Sequence, residues 1–165
     1  MPNARPGARA AVSSLLEQLD EAYDRQSWHG TNLRGSLRGL SVDEALWRPV
    51  PDRHNVWEIA IHAAYWKYAA WRRLTGEKRG AFPHKGSNWI PSPTSPTNAQ
   101  WRDDVALLGS FHRRLRAAVA GLADADLGRR APGGKETIGR LVRGIAAHDL
   151  YHAGQIQLLK RLLRS

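Results

Sequence analysis

Apolar residues recur at three- and four-residue intervals in four stretches of the chain, a period that predicts four amphipathic helices. The first, over about residues 7–26, carries Val12, Leu15, Leu16, Leu19, Ala22 and Tyr23. The second opens at Asn55-Val-Trp-Glu58, where the spacing suits an N-cap with a reciprocal glutamate. It continues through Ile59, His62, Trp66, Ala69 and Ala70 and stops at Gly76. The third begins with Thr97-Asn-Ala-Gln100, a second capping-box spacing, and places Trp101, Val105, Leu108, Leu115 and Val119 on one face before Gly121. The fourth runs from about Lys135 to Leu163, with Ile138, Leu141, Ile145, Ile156, Leu159 and Leu163 on one side.

Between these stretches the pattern breaks. The segment SWHGTNLRGSLRGL has room for one short helical piece, and Ser41-Val-Asp-Glu44 reads as the start of another. Residues 77–97 contain four prolines and predict a long irregular loop, of the kind that is often functional or mobile. Nothing alternates with period two for long enough to suggest a sheet. Four apolar stripes must bury one another, so the expected fold is all-α. It is a four-helix bundle with short extra helices and a long loop between helices 2 and 3, in one domain spanning residues 1–165. That long connection lets helices 2 and 3 run parallel.

Composition narrows the chemistry. A chain of 165 residues with 42% hydrophobic and 24% charged residues can bury a core without staples. The absence of cysteine excludes a disulfide scaffold, a Cys-ligated zinc and a Cys nucleophile. No apolar run is long enough to span a bilayer, so no membrane partner is expected. The first residues carry arginines without a sustained apolar region, which predicts no signal peptide and a cytoplasmic location. The formal charge of +10 raises the question of nucleic acid. The basic residues are spread along the chain in pairs such as Arg72/Arg73 and Arg113/Arg114, so the expectation is a solvated basic surface and not a nucleic-acid site.

Histidine carries the sharpest signal. His148 and His152 stand four apart in HDLYHAGQIQLL and share a helix face with Ile145 and Ile156. His62 falls between Ile59 and Trp66 on the stripe of another helix. Three imidazoles from two helices can converge inside a bundle, where metal sites are commonly built, and neutral imidazole suits Zn, Ni, Cu or Fe. The spacing alone fits hydrogen-bonded core histidines equally well.

The segments NVWEIAIHAAYW and HDLYHAGQIQLL resemble the second-helix and last-helix patterns of the DinB/YfiT-like superfamily, and SWHGTNLRGSLRGLSVDEALWRP is similar to a connecting segment in one branch of it. The resemblance implies a four-helix bundle, a homodimer, and one divalent transition metal, Zn or Ni, held by His62, His148 and His152. One departure is Lys67, where similar proteins often carry an acidic residue after the tryptophan. This leaves the ligand set intact but loosens any inherited substrate preference.

Around that site, Gln155 and Glu58 are placed to hold a ligating ring in its tautomer, although capping is the favoured role for Glu58. Tyr65 and Tyr151 are near enough to offer hydroxyls, with packing the favoured role. The candidates for acid–base work are Glu58, Tyr151 and His112, the last expected at a helix boundary. His54 and His84 are expected to be exposed. Trp28-His29-Gly30 reads either as part of a pocket mouth or as a turn packed by its tryptophan. A metal held by three neutral ligands keeps its charge and acidifies what occupies its open position. The expected function is therefore a metal-dependent enzyme activating a low-molecular-weight thiol for S-transfer on a small-molecule substrate, since relatives of the fold use thiols. Metal-dependent hydrolysis, or a non-enzymatic stress-response or ligand-binding role, are the alternatives.

Overall fold

A computed structural model describes residues 9–165; the start of the first predicted helix at residue 7, and the predicted absence of a signal peptide, fall on residues outside that range. Six α-helices form: α1 (Ala10–Tyr23), α2 (Leu33–Ser36), α3 (Val42–Leu46), α4 (Val56–Thr75), α5 (Asn98–Ala120) and α6 (Ile138–Leu163). A single 3₁₀ turn over Asp124–Gly128 precedes α6, and no β-strand forms among the described residues beyond one isolated bridge between Arg130 and Thr137.

The long helices begin where side chains can satisfy their free N–H groups. Asn55 accepts from the Glu58 N–H at the start of α4, Thr97 and Gln100 close a capping box on α5, and Thr137 caps α6. Ser41 and Glu44 do the same for the short α3. At its far end α4 stops on Gly76, which takes the left-handed conformation (φ 76°) that terminates a helix at no Cβ cost. The sequence places the start of α6 three residues early. Residues 130–137 instead fold back on themselves through the Arg130–Thr137 bridge and a left-handed Gly133, which leaves Thr137 as the cap.

Cross-helix contacts give the directions. Trp57 lies against Trp101 and Asp104, while Lys67 and Tyr68 meet His112 and Phe111, so α4 and α5 run parallel as the long loop allows. Asp20 pairs with Arg116 and Tyr23 stacks on His112, so α1 is antiparallel to α5. His62 meets His152, and Lys67 farther along meets Asp149, so α6 is antiparallel to α4. Burial forms two apolar clusters. One, around Val12, Leu19, Leu115, Val119 and Val142, fills the end where α1 begins; the other, around Leu33, Trp57, Ile61, Trp101, Leu108 and Ile156, fills the opposite end.

Loop 77–97 is packed rather than loose. Phe82 contacts Tyr65, Tyr68 and Phe111, and Ile90 is buried. His84 bonds Asp104 at 2.6 Å; it is half-buried, not exposed as the sequence suggests, because Asp104 also accepts from the Trp57 indole and so anchors the loop to the core.

Candidate metal centre

Helix α4 places His62 one turn before Trp66, and α6 places His148 and His152 one turn apart on the side that meets α4. The three Nε2 atoms converge. His148 Nε2 lies 3.0 Å from His62 Nε2 and 3.0 Å from His152 Nε2. No carboxylate shares this cluster among the described residues.

The outer nitrogens fix the chemistry of the inner ones. His62 Nδ1 donates to the Asn88 carbonyl oxygen at 2.9 Å, and His152 Nδ1 donates to Gln155 Oε1 at 2.6 Å. A neutral imidazole has one N–H, so both of these rings turn a bare lone pair toward His148 Nε2. A single proton on His148 can serve only one of them. Burial disfavours charging the rings: it pushes His62 down to about 4 and His148 down to about 3, each reinforced by the neighbouring imidazoles, and it lowers His152 as well. The cluster therefore holds neutral rings with facing lone pairs and too few protons to join them.

A divalent cation fits this donor set. Metal–nitrogen bonds of about 2.0–2.1 Å put two ligands of one ion about 3.0–3.4 Å apart, close to the observed separation. The second ring nitrogens of His62 and His152 are held by a carbonyl and an amide, the usual way a ligating histidine is oriented. His148 Nδ1 is buried without a hydrogen-bond partner among the described residues.

Loop 77–97 covers one side. Asn88 sits at φ 65°, a conformation asparagine tolerates better than most residues. This turn lets its carbonyl meet His62 while its side-chain oxygen accepts from the Trp66 indole at 2.9 Å. Next to it the Trp89 ring lies flat between two imidazoles, 3.8 Å from His62 and 3.6 Å from His54. His54 is in turn bonded to Glu58 at 2.9 Å.

The acid–base candidates separate. Glu58 does not return to cap Asn55; it takes two bonds from Arg48, at 2.5 and 2.9 Å, one from His54 and one from the Ser92 N–H. Burial alone would raise its carboxyl, but these donors outweigh it and hold the group at about 2. Glu58 thus reaches the cluster only through the His54–Trp89–His62 stack. His112 is buried inside the bundle, not at its boundary, because its ring stacks on Tyr23 at 4.0 Å and its Nδ1 lies 3.3 Å from Lys67 Nζ. Tyr151 is exposed, with its ring 5.2 Å from His152. Tyr65 packs on Phe82 and Trp66. Trp28 is fully exposed, so it packs no turn.

Sequence reasoning missed one feature. Lys67 and Asp149 are both completely buried and paired in the bundle centre, one turn from the histidines. The signal was present: opposite charges on two stripes that were otherwise apolar can only be buried together.

A family model described as the DinB superfamily matches residues 25–156, and the chain belongs to that superfamily. Searches of curated proteins and of solved structures found no match.

Proposed function

We propose that this member of the DinB superfamily holds one divalent transition metal, Zn or Ni, on His62, His148 and His152, and activates a low-molecular-weight thiol for S-transfer. The observation that carries the reading is the tautomer arrangement: Asn88 and Gln155 occupy the Nδ1 atoms of His62 and His152, leaving bare Nε2 lone pairs converging on His148. A metal bound there supplies Lewis acidity that favours the ionised form of a thiol ligand.

The chain's own residues do the rest. Asn88 and Gln155 orient two of the ligating rings. Trp89 covers one face of His62 and keeps bulk water off it. Water would be acidified there as well, but a positioned side-chain base would assist hydrolysis further. Glu58 is committed to Arg48 and His54, and His112 is enclosed with Tyr23 and Lys67. A thiol needs less help, because it ionises more readily than water and the protein supplies no thiol itself. With Glu58 and His112 committed elsewhere, the easier ionisation of a thiol favours thiol chemistry over the hydrolase alternative.

The test uses untagged protein loaded with Zn or Ni and incubated with glutathione and monochlorobimane. Formation of the fluorescent thioether, lost in His148→Ala, is the expected result. Turnover of ester or amide substrates with no thiol consumed would overturn the transferase reading, and absence of both activities would favour a binding role.

A further inference from the structure

Helix α4 carries a second chemistry beyond His62. Trp66, Ala69, Arg72 and Arg73 follow at helical spacing and line a cavity of about 470 Å³ between α4 and loop 77–97. Tyr65 and Phe82 add aromatic wall, their rings meeting edge to face at 5.4 Å. Four cations surround it, Arg72, Arg73, Arg79 and Lys85, and no carboxylate lines it.

Some cations elsewhere have acidic partners, as Arg48 has Glu58, Arg116 has Asp20 and Arg129 has Asp126. Among the described residues none of the four cavity cations forms an ion pair. Arg73 goes further, because its Nε is buried without a hydrogen-bond partner among the described residues. Four like charges around so small a space repel one another, and an anion relieves that repulsion. Trp66 joins the cavity wall to the histidine cluster, since its ring stands edge-on to His62 and to His148 with centroids 6.4 Å from each. Ten residues of helix separate His62 from Arg72, a rise of about 15 Å.

We propose that this cavity binds an elongated small-molecule carboxylate, its body against Tyr65, Trp66 and Phe82 and its carboxylate at Arg72, Arg73 and Arg79. As an anion site it stands independently of any metal. Its role as the recognition end of a reactant whose other end reaches the histidines rests on the function proposed above. That reactant is either the thiol or its electrophilic partner, both of which can carry a carboxylate.

Fluorescence titration with anilinonaphthalene sulfonate, an anion with an aromatic body, tests the site in metal-free and metal-loaded protein. The dissociation constant should rise about tenfold in Arg73→Gln/Arg79→Gln and also in Arg79→Gln/Lys85→Gln, whose side chains are exposed and whose loss spares the fold. It should be unchanged in Arg102→Gln/Arg113→Gln, which alters a separate groove between α1, α2 and α5. It should also survive His148→Ala. Equal binding in all the arginine variants, or loss in His148→Ala alone, would overturn the proposal while leaving the metal reading intact. Displacement by S-methylglutathione, whose thiol is capped, assigns the site to the thiol; displacement by cinnamate assigns it to the electrophile. Displacement by neither overturns the carboxylate assignment.

Discussion

Lys67→Met removes the cation from the centre of the bundle. Lys67 and Asp149 are each inaccessible to solvent, and Asp149 Oδ1 has no hydrogen-bond partner among the described residues, so the lysine is the carboxylate's main compensation. Burial raises the Asp149 carboxyl to about 6 even with Lys67 pulling it down. Breaking a buried pair from one side leaves a stranded charge and costs about 3–5 kcal/mol, whereas replacing both partners with apolar groups is often neutral. For a domain of this size that loss lowers Tm by roughly 6–20 °C. Urea unfolding followed by tryptophan fluorescence, with linear extrapolation, measures it directly. The double variant Lys67→Met/Asp149→Leu should recover to within about 1 kcal/mol of the native protein, giving a strong coupling in the mutant cycle. A single variant that loses less than about 1 kcal/mol, or a double variant weaker than the single, would refute the reasoning.

Gln155→Leu frees the Nδ1 of His152, and chelator competition should show metal affinity falling about 10–100-fold with little change in the metal-free stability. Trp89→Ala removes two stacked imidazole contacts, so urea unfolding should report a loss of about 1–3 kcal/mol, and an unchanged midpoint would show that the stack contributes nothing. His62, His148 and His112 are held near 4, 3 and 2, below the unfolded value of 6.5, with burial the main cause in each. Unfolding therefore takes up protons below pH 6.5, and the stability these groups provide is complete above that pH and lost as pH falls toward their folded values. Metal-free protein should lose about 1.4 kcal/mol per pH unit for each such histidine between pH 6 and pH 5, read from urea midpoints; a flat profile contradicts the neutral assignment.

Much of this was legible in the sequence because helices announce themselves locally. The Asn55 and Thr97 caps and the Gly76 stop depend on residues within one turn, and the apolar period gives the faces that pack. The Thr137 cap of α6 was not legible, because the 130–137 fold-back that exposes it is not a local period. The convergence of His62 with His148 and His152 was legible too, since each lies on a stripe that must face inward. The exact arc of α6 was not. The sequence suggests 138, 141, 145, 148 and 152 at its centre. In the fold Val142, Ala146, Asp149 and Ala153 are also buried while Leu141 and His148 are only half-buried, because α6 packs on α1 and α4 at once. Loop contacts were invisible for a different reason: the Asn88 turn and the Trp89 stack depend on tertiary approach, and no local period encodes them. Glu58 shows the same limit. Its spacing from Asn55 satisfies the capping rule, yet Arg48, ten residues away, is the stronger partner.

The most direct test of the metal centre is a crystal structure of Zn- or Ni-loaded protein with data collected across the metal's absorption edge. One anomalous peak among the Nε2 atoms of His62, His148 and His152, absent in His148→Ala, is the predicted result. A peak elsewhere, or an undiminished peak in that variant, would contradict the ligand assignment on which the proposed chemistry stands.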